Sequence, residues 1–417
     1  MADKNQNGKN IARFSLAGLI VFSVALVFTG ALLTFALSTA ANSRITHNFF
    51  SHHSGTAGTA PGGTPPWGEF TTADIQLEQP EEYLAYELQN VKAPVWVFEK
   101  QSPDEARNVL TTCGVPAKQI ERALSPTMSS SISGNTVVRP DDELVLSLAP
   151  EARTKLYREL AHGDANHYMK FPFIYPGKSY ETCFDDGVMP ETVAPLVKKL
   201  LYARGEAMCF SDFEIVMRHL TTETDKLKLL RALSRQSAVL VRLRVRPETD
   251  VDKVIGYWNR GADVKSVRPL LESMTRIPDG STLSLLYLLP QFARQRLYTF
   301  PAPSNAGDPV MDCHWSTMNF FNATPDNHFT VPSYTVSFLK TNCYPIAKPT
   351  AYGDIVLFLD ENGNAIHSAI YLADDIVFTK NGNNFAQPWM LMRLKDLTAR
   401  YELDSPSKLL IYRQKNS

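Results

Sequence analysis

The sequence predicts an α+β protein in three parts: an N-terminal transmembrane helix, a mainly helical middle domain, and a C-terminal domain built on a small antiparallel sheet. Three observations carry this. Residues 14–38 form an apolar run without a charged side chain. Capping signals and apolar stripes at helical spacing recur across residues 81–300. The last quarter alternates apolar and polar side chains around turn residues, as hairpin strands do.

Composition narrows the function classes. The 417 residues suffice for two or three domains, and a net charge of -1 gives nucleic acid no basic face to meet. Phenylalanine and tyrosine are too plentiful for a disordered scaffold.

Residues 1–13 carry Lys4, Lys9 and Arg13 and read as a cytoplasmic tail, because basic residues stay inside. Residues 14–38 exceed the roughly 20 needed to span a bilayer, so they read as a single-pass anchor. Thr39-Ala40-Ala41 offers the alternative of a cleaved signal, whose apolar region is usually shorter, about 7–15 residues. Either way the bulk is expected to be exported. Residues 39–80 are rich in Gly and Pro and read as a linker, with His52 and His53 solvated rather than metal-bound.

In residues 81–300, Ser102-Pro103-Asp104-Glu105 predicts a helix start and Gly114 its stop. Ser211-Asp212-Phe213-Glu214 has capping-box spacing. Residues 238–246 alternate as a half-exposed strand whose Arg242, Arg244 and Arg246 face solvent. Helices are expected over Val267–Arg276 and over Ser281–Arg296, the latter broken by Pro290. His162 and His167 are five apart around a glycine, which reads as a turn rather than a helical metal pair. This middle domain shows no chemistry of its own.

Five cysteines (Cys113, Cys183, Cys209, Cys313, Cys343) show no CxxC spacing, and their odd number leaves one thiol unpaired within the chain. Cys313 opens an amphipathic decamer ending at Asn322, so it is expected at a helix's first turn, where free N–H groups favour a thiolate. Asp354–Leu359, the Asn362-Gly363 turn, Ala365–Leu372 and Ile376–Thr379 read as three successive strands. Alternation puts His367, Ala369 and Tyr371 on one face, where an imidazole can take a thiol proton. A structural cysteine and a histidine held by a cross-strand partner are the other readings of these two residues. Asp312 and Asp354 read as a cap and a turn tie, and His314 as pointing away from Cys313.

Asp312-Cys313 at a helix start, Gly353-Asp354-Ile355-Val356-Leu357-Phe358 opening a sheet, and His367-Ser368-Ala369-Ile370-Tyr371-Leu372 in the next strand together resemble the NlpC/P60 family of papain-like cell-wall cysteine peptidases. The resemblance implies a papain-like domain over residues 301–417, with Cys313 as nucleophile and His367 as base. It also implies a third polar residue near Thr379 that orients the imidazole, or Asn381 if the register slips by two. His314 and Trp315 stand where the family commonly has Ser or Gly followed by Gly. The activity implied is amide hydrolysis through a thioester, in peptidoglycan stem peptides, without metal or organic cofactor. The location implied is the bacterial inner membrane, with the bulk in the periplasm. Two rivals use the same residues. One is a thiol amidase or acyltransferase. The other is a non-catalytic envelope binding protein, for which Cys313 should be buried and unreactive.

Overall fold

The computed structural model describes residues 65–89, 93–260, 263–302 and 308–415. The tail and the anchor read over residues 14–38 lie outside them, as do residues 39–64 of the linker. Among the described residues no helix is long and apolar enough to cross a membrane. The predicted fold class is corrected accordingly: what is described is mixed helix and sheet, with no membrane-crossing helix. By contacts the chain divides into two units, residues 1–50 with 302–310, and residues 51–301 with 311–417. The architecture below is that of the second unit.

Along the chain the strands are β1 (Glu69–Leu77), β2 (Trp96–Phe98), β3 (Ser129–Ile132), β4 (Asn135–Val138), β5 (Phe173–Tyr175), β6 (Tyr202–Arg204), β7 (Ala207–Phe210), β8 (Gln236–Val245) and β9 (Ser281–Ser284). They continue as β10 (Cys343–Ile346), β11 (Ile355–Leu359), β12 (Ala365–Ala373), β13 (Ile376–Lys380), β14 (Trp389–Arg393) and β15 (Lys408–Gln414). Helix remains the commoner element of the middle region, but strands accompany it. Residues 81–300 contain β2 through β9, arranged as β2-β4-β3, as β5-β7-β6, and as β8 between β1 and β9. Most of these strands span three or four residues, too few for an alternating pattern to stand out.

The linker reading over 39–80 ends in order, since β1 pairs with β8 from Glu69↔Arg244 to Leu77↔Gln236. Arg246 and Arg244 face Glu69 at 3.2 and 3.8 Å, so two of the three arginines serve a sheet face. Ser281–Ser284 was expected to start a helix. It is instead β9, because β8 offers it a backbone partner at Val245↔Ser281, and a 3₁₀ helix at Leu285–Leu288 and an α-helix at Gln291–Arg296 follow it. The helix Pro103–Thr112 does begin at Ser102, whose hydroxyl accepts from the Glu105 N–H while Glu105 accepts from the Ser102 N–H. Ser211, by contrast, is buried and donates to the Tyr168 carbonyl rather than capping the helix Phe213–Met217.

Two cores organise the unit. Residues between Leu84 and Leu233 close around one of them. The second joins Phe70, Val241, Leu243 and Trp258 to Trp315, Phe320, Ile370 and Phe378, so the apolar interior runs through residue 300 without dividing. The C-terminal sheet has the order β10-β15-β11-β12-β13-β14, antiparallel throughout. Its face bearing Ile355, Leu357, Ile370 and Phe378 packs on the helix Cys313–Met318. Its other face, with Val356, Phe358, Ala369 and Met390, is covered by Leu397 of the helix Leu394–Tyr401.

Candidate active site

Asp312 starts the cysteine helix by accepting the Trp315 N–H at 2.7 Å. The helix ends at Met318, short of the expected Asn322, because Asn319 folds the chain back. Its amide donates to the Trp315 and Asp326 carbonyls at 3.0 and 3.1 Å, and accepts the Asp326 N–H at 2.6 Å. Trp389 donates its indole N–H to Ser316 at 2.9 Å. These ties fix Cys313 against β12.

Pairing between β12 and β13 runs from Ala373↔Ile376 only as far as Ile370↔Phe378, leaving His367, Ser368 and Ala369 without a partner on that side. Strand N–H groups lie in the plane of a sheet. The Ser368 N–H faces the Cys313 sulfur, so the thiol sits where the two strands part. The Ser368 hydroxyl turns to the helix, meeting His314 Nδ1 at 2.9 Å and donating to the Cys313 carbonyl at 3.4 Å.

Cys313 is 5% exposed, and burial, then the Asp312 carboxylate, push its thiol up to about 12. The N–H groups of Ser368 and His314 pull the other way without prevailing. The thiolate expected from the helix start is thus not favoured. A six-residue helix capped by a carboxylate has too little positive end to offset desolvation.

His367 is wholly buried and belongs to the opposite face of β12. Its ring stacks on Tyr401 with centroids 4.1 Å apart and planes at 15°. Its Nε2 lies 2.9 Å from Thr379 Oγ1, and its Nδ1 has no partner. Burial, then the charges of His314 and Arg400, hold the imidazole well below its usual 6.5, so the ring is neutral. With Thr379 accepting from Nε2–H, the lone pair lies on Nδ1. No hydrogen bond joins Nδ1 to the sulfur. The links are Ser368, next in sequence to His367, and Tyr401, whose own ionisation is opposed first by burial and then by a Cys313 thiolate.

Of the four sequence-predicted residues, His367 and Thr379 are therefore joined directly, while Cys313 lies on the other face of β12 and is related to them through Ser368 and Tyr401. Asn381 does not join them: its amide N–H points to Met392 Sδ at 3.3 Å and its oxygen is unpartnered. Sequence reasoning missed the Tyr401 stack and the His314–Ser368 contact, neither of which has a local pattern to betray it. Lys380, fully buried, donates to the Gly382 and Asn384 carbonyls at 2.9 and 3.0 Å, and burial lowers it to about 8. All five cysteines are free, so Cys313 is not tied to Cys343. Among the described residues no group of three His, Cys, Asp or Glu side chains converges as a metal site.

Comparison with protein-family models, curated proteins and solved structures finds no match to this chain.

Proposed function

We propose that the chain is a thiol hydrolase of amide bonds in which Cys313 is the nucleophile, His367 the base and Thr379 the residue that orients it. The observation that carries this reading is the division of labour on the His367 ring: Nε2 is held by Thr379 at 2.9 Å, while buried Nδ1 is left without a partner. Leaving a buried nitrogen unpaired costs about 1–3 kcal/mol. A proton arriving from the thiol gives Nδ1 the charge and the partner it lacks at rest.

The pair rests uncharged, so the proton moves during attack rather than before it. Nδ1 takes the Sγ–H proton as sulfur bonds to the amide carbon. The C–N bond then breaks, and Nδ1–H gives its proton to the leaving amine, forming a thioester. Water attacks the thioester, its proton passing to Nδ1 and on to the departing sulfur, which restores the thiol and releases a carboxylic acid. The substrate class, a cell-wall stem peptide, rests on the motif resemblance alone.

A second reading, a non-catalytic binding domain, is favoured by the burial of Cys313, His367, Thr379 and Asn381 together. The deciding experiment incubates full-length protein with peptidoglycan stem peptides and counts new amino groups. Release that disappears in Cys313→Ala and in His367→Gln supports the hydrolase. No release, with peptide binding equal in wild type and Cys313→Ala, replaces it with the binding domain.

A further inference from the structure

Glu402, Leu403 and Asp404, which follow Tyr401, all meet the middle of the chain. The Asp404 carboxylate takes Arg204 two-pronged, Nε at 3.1 Å on Oδ1 and Nη2 on Oδ2. Arg204 is 4% exposed and its Nη1 donates to the Met169 carbonyl at 2.9 Å, so the guanidinium is itself immobile. Arg158 donates to the Asp404 carbonyl at 2.7 Å. Leu403 packs into the core formed by residues 84–233. Gly205, with φ +55°, lies so close beneath Glu402 that a Cβ there would stand 2.5 Å from the Glu402 carbonyl oxygen.

We infer that Tyr401 is a positioning residue for His367, and that the middle region, through Arg204, Arg158 and Gly205, holds it in place. The inference rests on the hydrolase reading and gives the middle region a part in that site. A neutral imidazole with one held nitrogen can still rock about its Cβ–Cγ bond. A ring stacked at 4.1 Å removes that freedom and keeps water off the Nε2–Thr379 contact. Tyr401 is the last residue of its helix, so the ties on Glu402, Leu403 and Asp404 hold the chain directly beyond the ring. The groups facing His367 are Tyr401 and Arg400 from that helix, His314 beside Cys313, Thr379 on β13 and Phe358 on β11.

The test follows the His367 imidazole by proton–nitrogen NMR on histidine-labelled full-length protein, the signal being assigned by its loss in His367→Gln. Asp404→Asn is remote from the ring, and we expect it to raise the His367 midpoint by about one unit or more as water reaches the imidazole. Tyr401→Leu should do the same, and Tyr401→Phe should titrate as wild type. If Asp404→Asn does not fold, Arg158→Gln removes an exposed tie to the same residue and should shift the midpoint upward by less. Wild-type titration in Asp404→Asn, or in Arg158→Gln where that variant takes its place, overturns the anchoring. Tyr401→Phe behaving like Tyr401→Leu overturns the stack. The hydrolase reading is scored separately, by whether His367→Gln slows alkylation of Cys313, so the two can fail independently.

Discussion

Cys183 supplies an internal standard for the chemistry assigned to Cys313. Burial raises the half-exposed Cys183 thiol to about 11 and the Cys313 thiol to about 12. At any pH below both, that difference gives Cys183 about ten times the thiolate population. Thiolate nucleophilicity rises with pKa at a Brønsted slope of about 0.4–0.5, which returns about a factor of three to Cys313. Without a base, then, iodoacetamide should label Cys183 ahead of Cys313 by about threefold, and by more once access is counted. With Nδ1 of His367 accepting the proton the order inverts, and His367→Gln, which keeps most of the side-chain volume, restores it. The assay is timed labelling of full-length protein at about pH 7.5, with each cysteine peptide quantified by mass spectrometry. If Cys313 trails Cys183 in the wild type and His367→Gln leaves its rate unchanged, the base assignment is refuted.

Three further outcomes follow from the same geometry. Thr379→Val keeps the shape but removes the Nε2 acceptor, and should cost about 1–3 kcal/mol in urea unfolding, with Thr379→Ser close to wild type; equal losses would point to packing instead. His367 titrates near 6.5 when unfolded and well below that when folded, so between these values the unfolded chain binds the extra proton. Stability is full above that window and falls as pH drops through it, by up to about 1.4 kcal/mol per unit; His367→Gln should lack this component, and parallel pH profiles would contradict it. Gly205→Ala combines a left-handed backbone with a clash against Glu402, and should cost about 1–3 kcal/mol by thermal or urea unfolding; a neutral result would mean that this approach is loose.

What the sequence disclosed follows the range of the interaction. The Ser102 cap, the β8 alternation and the Asn362-Gly363 turn depend on neighbours or on counting by two and are visible in the residues, whereas a partner for His367 near Thr379 comes from the family resemblance, which leaves Asn381 open as well. β1 escaped because Glu69–Leu77 is half polar and owes its form to nine backbone pairs with a strand far along the chain. β9 escaped because Ser281–Ser284 joins an apolar run that also suits a helix, and only β8 decides between them. The thiol was misjudged for a different reason. A helix start can be read locally, but the burial that outweighs it cannot. Tyr401 lies 34 positions beyond His367 by numbering, and nothing between them announces that their rings will meet.

The pairing of Leu77 with Gln236 at the closed end of β1 and β8 means that residues 78–235 leave and rejoin the sheet at a single point. Topologically they are a guest lodged in the loop of a host hairpin, with a core of their own. A short turn from Leu77 to Gln236 would excise the guest and leave the host with β1, β8, the six-stranded sheet and every residue of the proposed triad. Such a host would carry Tyr401 with Asp404 unmoored. One deletion thus separates the chemistry from its restraint, and a truncation at residue 300, which cuts through a shared interior, does not.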